Sequence, residues 1–358
     1  MNLNRGCFVS ASLNEMDIKI TKGRFSNLLS YDFIKIILAI VAAVMVWVLL
    51  FTTCATRATV GEQFYFVTFG EIYSKDSDFA GRMLSDLKEK NKLSYDVLDL
   101  NAINVTAAGN YSALYMLSLK AATKEGDVML FNGKKTTVLT SDGKPETDGD
   151  GNEKKKINDE AQAIVNNGYI VNFSEYLDSA GAYLDKFTVN GKIDEKTVEK
   201  YFLEVRMKEA SNYRKTFRTA EQKKEGVKLE IERLKTLSET YESVKSFLKT
   251  AEEDGADVMW YADYNVGETY GKQHVPYGID LDKMNKYGLS KNPGAKKLSE
   301  YFWYYENVKS EETGETTVQN FSEGLVLSVF NYGTDQYDLQ FESLAVIERI
   351  IRTFTENA

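Results

Sequence analysis

This chain has one histidine, two cysteines and three prolines in 358 residues. A single imidazole, His274, cannot build a histidine-rich metal site or serve more than one histidine-dependent catalytic centre. Cys7 and Cys54 both lie near the N-terminus, so the remaining chain of about three hundred residues has no thiol nucleophile and no disulfide. A domain of that size can stand on its core alone. No phosphate-cradling G-x-x-x-x-G-K-[ST] or G-x-G-x-x-G loop occurs. The net charge is −9. Removing the five basic and three acidic residues before Arg57 leaves 39 basic and 50 acidic, a balance of −11. That excess opposes nucleic acid and anionic lipid as partners of the outer region. With so many acids, paired carboxylates say nothing about glycoside hydrolysis, and the chain reads as a protein that is not an enzyme.

What is present begins with Ile36–Ala55, a run without charge, proline or glycine. At 1.5 Å per residue it is long enough for a hydrocarbon core of about 30 Å. Before it lie Arg5, Lys19, Lys22, Arg24 and Lys35 against Glu15, Asp17 and Asp32; after it come Arg57, Glu62 and Glu71. The basic excess on the N-terminal side predicts a cytoplasmic N-terminus. The run exceeds the apolar core of a signal peptide. Cys54 would be the acylated residue of a lipoprotein, but Phe51, Thr52 and Thr53 do not give the usual context. The expected organisation is a cytoplasmic tail over 1–34, a transmembrane signal-anchor over 35–56 and an extracellular domain over 57–358. Five residues, Ala58 to Glu62, separate Arg57 from the first expected strand. They reach roughly 18 Å when extended, so the domain is expected to work close to the membrane.

The outer region opens with Gln63–Phe69, aromatic and β-branched, which predicts a strand. Phe79–Lys90 has a helical apolar face, Tyr95–Val105 alternates as a strand does, Tyr111–Lys124 is helical, and Asp127–Phe131 is a short strand. Strand, helix, strand, helix, strand is the order of a mostly parallel sheet with crossover helices. Lys134–Lys156 carries glycine, proline and charge and reads as a loop or hairpin insertion. A helix follows from Asp159, and Ser174 is placed to cap the next. Residues 194–253 are nearly all helical, with Val227, Ile231, Leu234, Leu237, Tyr241, Val244 and Leu248 on one face. Asp257–Ala262 and Leu325–Phe330 read as strands, 267–278 as a loop region, Trp303–Tyr305 as helix-like, and Ser343–Thr355 as an amphipathic helix.

Three segments, Leu114–Phe131 (LYMLSLKAATKEGDVMLF), Asn167–Leu177 (NGYIVNFSEYL) and Tyr277–Leu281 (YGIDL), resemble stretches of bacterial extracellular solute-binding proteins. The order of elements over most of 60–358 is similar to that family, nearest to membrane-anchored relatives of its carbohydrate-binding members. The resemblance implies an α/β fold with two lobes, like the type II periplasmic binding proteins, behind one N-terminal transmembrane helix. Lobe 1 would take about 60–135 and 318–358, and lobe 2 about 157–317. It also implies a small solute, a carbohydrate foremost, and association with an ABC-type importer permease. A chain that replaces the usual lipoprotein signal by an anchor departs from that pattern.

A cleft of that kind lies at carboxyl ends of strands, which makes Phe69, Gly70 and Glu71, and Asn132 and Gly133, expected cleft residues. Trp260, Tyr261, Tyr264, Tyr270 and Tyr277 could stack on sugar rings, with Asp263, Asn265 and Glu268 as hydroxyl partners. The expected ligand-binding set is Phe69, Glu71, Asn132, Trp260, Tyr261, Asp263, Tyr264 and Tyr270. Core filling competes with this reading, since aromatics make up 12% of the chain. Asp148, Asp150 and Asn152 offer calcium its oxygen ligands at alternate positions, with Asp159 at the twelfth. Glu153 and Lys155 stand where that loop wants glycine and an apolar residue. Two rivals remain at this point. One is a surface interaction or sensing protein that docks on a membrane partner without a small ligand. The other is an enzyme acting on surface glycans.

Overall fold

Apolar runs such as Gln63–Phe69, Val128–Asn132 and Leu325–Val329 become strands of one mixed sheet in the computed structural model. The structure describes residues 23, 33–54, 58, 60–76, 78–105, 110–142, 144–147, 151, 153–209, 216–265, 272–309, 316–331 and 336–357. The chain divides into Met1–Arg57 and Ala58–Ala358. In the first unit α1 (Phe33–Cys54) is a 22-residue helix whose described side chains are all exposed. Its stretch Phe33–Leu50 is long and apolar enough to cross a membrane.

The second unit begins with β1 (Gln63–Phe69), a two-residue β2 (Tyr73–Ser74), α2 (Phe79–Glu89), β3 (Asp99–Val105), α3 (Asn110–Thr123) and β4 (Val128–Asn132). β3 and β4 both pair parallel to β1, the crossover arrangement that the alternation of patterns predicts. The insertion forms a hairpin of β5 (Lys135–Thr137) and β6 (Lys155–Ile157). Then come α4 (Asp159–Asn166), α5 (Phe173–Asp185), the small hairpin β7 (Thr188–Val189) and β8 (Lys192–Ile193), α6 (Glu195–Tyr201) and the 34-residue α7 (Ala220–Glu253). The Thr219 hydroxyl caps α7 in a reciprocal box with Gln222. The remainder is β9 (Met259–Asn265), β10 (Lys272–Asp280), α8 (Leu281–Lys291), β11 (Phe302–Lys309), β12 (Thr316–Phe321), β13 (Leu325–Val329) and α9 (Ser343–Thr355).

The main sheet runs β3-β1-β4-β13-β10-β9. β13 is antiparallel to both β4 and β10. β9 and β10, expected in a second lobe, therefore extend the sheet that carries β1, and 58–358 is one compact unit. Side-chain alternation sorts the two cores. Phe64, Phe66, Val128, Leu130 and Leu327 face α2, α5, α7, α8 and α9. Tyr65, Val67, Phe69, Met129, Phe131 and Val326 face α3 and α4. The result is a sheet between two helical layers.

Three local expectations change. Residues 272–280 are a strand, with a register shift between Pro276 and Gly278. Trp303–Tyr305 lies in β11, which pairs with β2 and β12. α5 is capped not by Ser174 but by Asn172, whose side chain accepts from the Ser174 and Glu175 amides.

A charged network crosses the first core. Arg206 ends a π-helical turn (Phe202–Arg206) and reaches Asp96 at 2.9 Å and Glu230 at 2.6 Å. Arg233 meets Glu230 at 3.0 Å and Glu342 at 2.9 Å. The Tyr95 hydroxyl donates to Glu230 (2.8 Å) and the Ser94 amide to Glu342 (2.8 Å). All five charged residues are buried. They tie the entry to β3, the π turn, α7 and the start of α9 together.

Candidate functional site

The chain enters β4 through Gly126 and Asp127. A side chain at Gly126 would strike the Phe330 ring, its β-carbon falling 2.4 Å from the ring. Glycine thus lets the chain turn beneath that ring and present Asp127. The Asp127 amide donates to the Tyr65 carbonyl (3.2 Å), and its carboxylate Oδ2 accepts from the Tyr65 amide (2.7 Å). Its carbonyl accepts from the Phe330 amide (3.0 Å) and the Ser343 hydroxyl (3.1 Å). Three separate elements therefore hold the residue in place.

The opposite wall comes from the end of α4. Gly168 takes φ +67°, and the paired bonds Gly168 N to Val165 O (2.9 Å) and Tyr169 N to Ile164 O (3.1 Å) close the helix in a Schellman turn. The next residues run against the end of β13, with the Val171 amide donating to Val329 O (3.1 Å) and the Asn331 amide to Tyr169 O (2.8 Å). Asn172 then caps α5. Its Nδ2 donates to Glu175 Oε1 (2.9 Å), fixing that carboxylate at the rim. One turn on, the Tyr176 hydroxyl donates to the Gln340 carbonyl (3.0 Å). Tyr264 of β9 and Val275 and Tyr277 of β10 complete the lining.

These pieces enclose a cavity of about 620 Å³ at the amino end of β4, within the range of small-molecule sites. Tyr176, Tyr264, Tyr277, Phe330 and Phe341 give it aromatic walls; Asn172, Asn331, Gln340, Ser179 and Ser343 add polar groups. Asp127 is 5% exposed. Burial pushes its carboxyl up to about 7, and the Glu342 charge adds to the rise against the opposing Tyr65 amide. Burial also raises the Tyr277 hydroxyl, assisted by Tyr264 and Glu175. A buried carboxyl perturbed in this way, in the wall of a cavity, is a candidate functional group.

The expected ligand-binding residues divide. Tyr264 lines this cavity. Tyr261 and Asp263 lie in a second groove of about 410 Å³ with His274, Lys135 and Lys155. There the Tyr261 and His274 rings stack at 5.1 Å, and His274 Nδ1 lies 2.9 Å from Asp263 Oδ1. Trp260 is buried in the core, edge-on to Phe131, and its Nε1 donates to the Gly133 carbonyl (2.9 Å). Phe69 is also core. Glu71 is exposed. Asn132 makes a turn, its Oδ1 accepting from the Lys134 amide (2.9 Å). Tyr270 and the calcium residues Asp148, Asp150 and Asn152 lie outside the described residues. Among the described residues no group of His, Cys, Asp and Glu is arranged to hold a metal ion.

Asp127, Asn172, Glu175 and Tyr176 were not among the expected ligand-binding residues. Asp127, residues of the Asn167–Leu177 stretch and Tyr277, far apart in sequence, line one cavity. No known protein family, no curated protein and no solved structure matches the chain.

Proposed function

We propose that this chain is a membrane-anchored solute-binding protein. α1 would span the membrane once with its N-terminus in the cytoplasm, and the α/β unit would hold a small solute outside the cell, in association with an ABC-type importer. The observation that carries the reading is the Asp127 cavity, with aromatic walls, spaced polar groups and a buried carboxyl. Aromatic faces with carboxylate and amide acceptors also suit the carbohydrate expected from the sequence. Full-length protein in nanodiscs tests it. A ligand at a hundred times its dissociation constant adds about 2.7 kcal/mol, a rise of roughly 5 °C in melting temperature. Absence of any shift across sugars, amino acids, amines and peptides at millimolar concentration would sink the proposal.

One set of observations favours the docking alternative. Phe69 packs in the core, Trp260 is buried edge-on to Phe131 and lines only a separate groove with Gly133 and Tyr261, and one sheet runs through both expected lobes. A protein that docks on a membrane partner needs no closing cleft. Cross-linking in native membranes separates the two: solute-independent capture of one membrane partner, with no thermal shift, selects docking.

A further inference from the structure

The charges and open valences of the cavity say more than its size does. Among the described residues that line it, the ionisable acids are Asp127 and Glu175, and there is no lysine, arginine or histidine. Among the described residues Asp127 accepts one side-chain hydrogen bond, from the Tyr65 amide to Oδ2, and no donor to Oδ1 is found there. Gln340, as its amide is assigned, holds a buried Oε1 with no partner among the described residues. Gln340 Oε1 is an acceptor, and so is Asp127 Oδ1 once the carboxyl is ionised. A buried acceptor without a donor is costly, and a buried carboxylate without a cation more so. Tyr264 and Tyr277 also line the cavity, and aromatic rings can attract positive charge through their faces.

Resting on the solute-binding reading, we propose that the solute carries a protonated primary amine. The ammonium takes the place of the missing cation opposite Asp127, donates to Asp127 Oδ1 and Gln340 Oε1, and is flanked by tyrosine faces. Glu175 at the rim supplies a second negative charge on the way in. A neutral sugar would bring hydroxyl donors but leave Asp127 without its counter-charge. The titratable groups around Asp127 are Tyr65 on β1, Tyr176 and Glu175 on α5, Tyr264 on β9, Tyr277 on β10 and Glu342 before α9. None of these supplies a positive charge, so binding of an amine below pH 7 should release a proton from Asp127.

Matched pairs test the charge directly. Calorimetry on full-length protein in nanodiscs would compare putrescine with 1,4-butanediol, and glucosamine with glucose. At least one amine should bind about tenfold or more tighter than its hydroxyl partner, as a charge-assisted bond gives. Proton release should appear as a buffer-dependent heat at pH 6. Asp127→Asn should abolish both the preference and the proton release, and Glu175→Gln, at the exposed rim, should weaken the preference severalfold. Equal or tighter binding of the hydroxyl members overturns the amine inference and leaves solute binding standing. Binding by neither member of either pair, while other neutral solutes bind, also overturns it. Silence from every solute overturns both readings.

Discussion

Glu230→Gln perturbs the fold at its most charged interior point. Glu230 is wholly buried and accepts from Arg206, Arg233 and the Tyr95 hydroxyl. Glutamine keeps the shape and one acceptor oxygen but removes the charge between two buried guanidinium groups. Each arginine retains one carboxylate, Asp96 for Arg206 and Glu342 for Arg233. Removing one member of a buried ionic set costs about 3–5 kcal/mol, and the retained oxygen places the expectation near 3. That is a large fraction of the roughly 5–15 kcal/mol that holds a domain folded. Lys235→Met is the control. Its partner Glu195 lies at 2.7 Å, but both side chains are well exposed, so the loss should stay below about 1 kcal/mol. Urea unfolding followed by the fluorescence of buried Trp260 measures both. Equal losses in the two variants, or a Glu230→Gln loss below about 1 kcal/mol, would refute the claim that the network is held together by charge. The pH dependence gives a second readout. Burial pushes the Glu230 carboxyl up, but Arg206, Arg233 and Tyr95 outweigh it and hold it below its usual 4.5. Its contribution is therefore present above that value and is lost as pH falls through the depressed one. The variant should lack that part of the acid transition.

Asp127 predicts the opposite slope. The folded carboxyl keeps its proton to about 7 whereas the free value is 3.8, so the folded state binds more protons between those limits. Stability should fall across that window by on the order of 4 kcal/mol. Asp127→Asn should flatten the fall and be more stable than the parent at pH 8; an unchanged pH profile would count against it. Gly126→Ala drives a β-carbon into the Phe330 ring and should cost about 1–3 kcal/mol while weakening solute binding; a silent substitution in both assays would show that the ring moves freely. Asn172→Ala removes the α5 cap and releases Glu175. It should cost about 1 kcal/mol and loosen amine binding further, checked by denaturation and calorimetry on one sample.

The elements most legible in the sequence are those whose local pattern and burial agree. β1 and α9 run over the residues that aromatic content and helical spacing pick out. β10 was hidden because Pro276 and Gly278, ordinarily turn residues, sit at a break in its ladder. Trp303–Tyr305 looks helical by composition, but alternating burial makes it a strand. The cavity is harder to read for a different reason. Asp127 is a lone acid at a strand start, and what buries it arrives from 165–179, 264–277 and 329–343. No window of sequence contains that convergence. Arg206, Glu230 and Arg233 likewise look like solvated helix faces until the fold brings Asp96 to Arg206 and Glu342 to Arg233.

The position of β13 has a consequence for how this protein is made. It is the last strand of the main sheet in chain order, yet it lies between β4 and β10. Until Leu325–Val329 leaves the ribosome, β3-β1-β4 and β10-β9 are two half-sheets, each with an open hydrogen-bonding edge. Exposed edges of that kind recruit foreign strands. The growing chain would thus carry two adhesive fragments until nearly all of it had emerged. Truncations ending before residue 325 should aggregate or be degraded, and a chaperone that shields strand edges would act on this protein late in its synthesis.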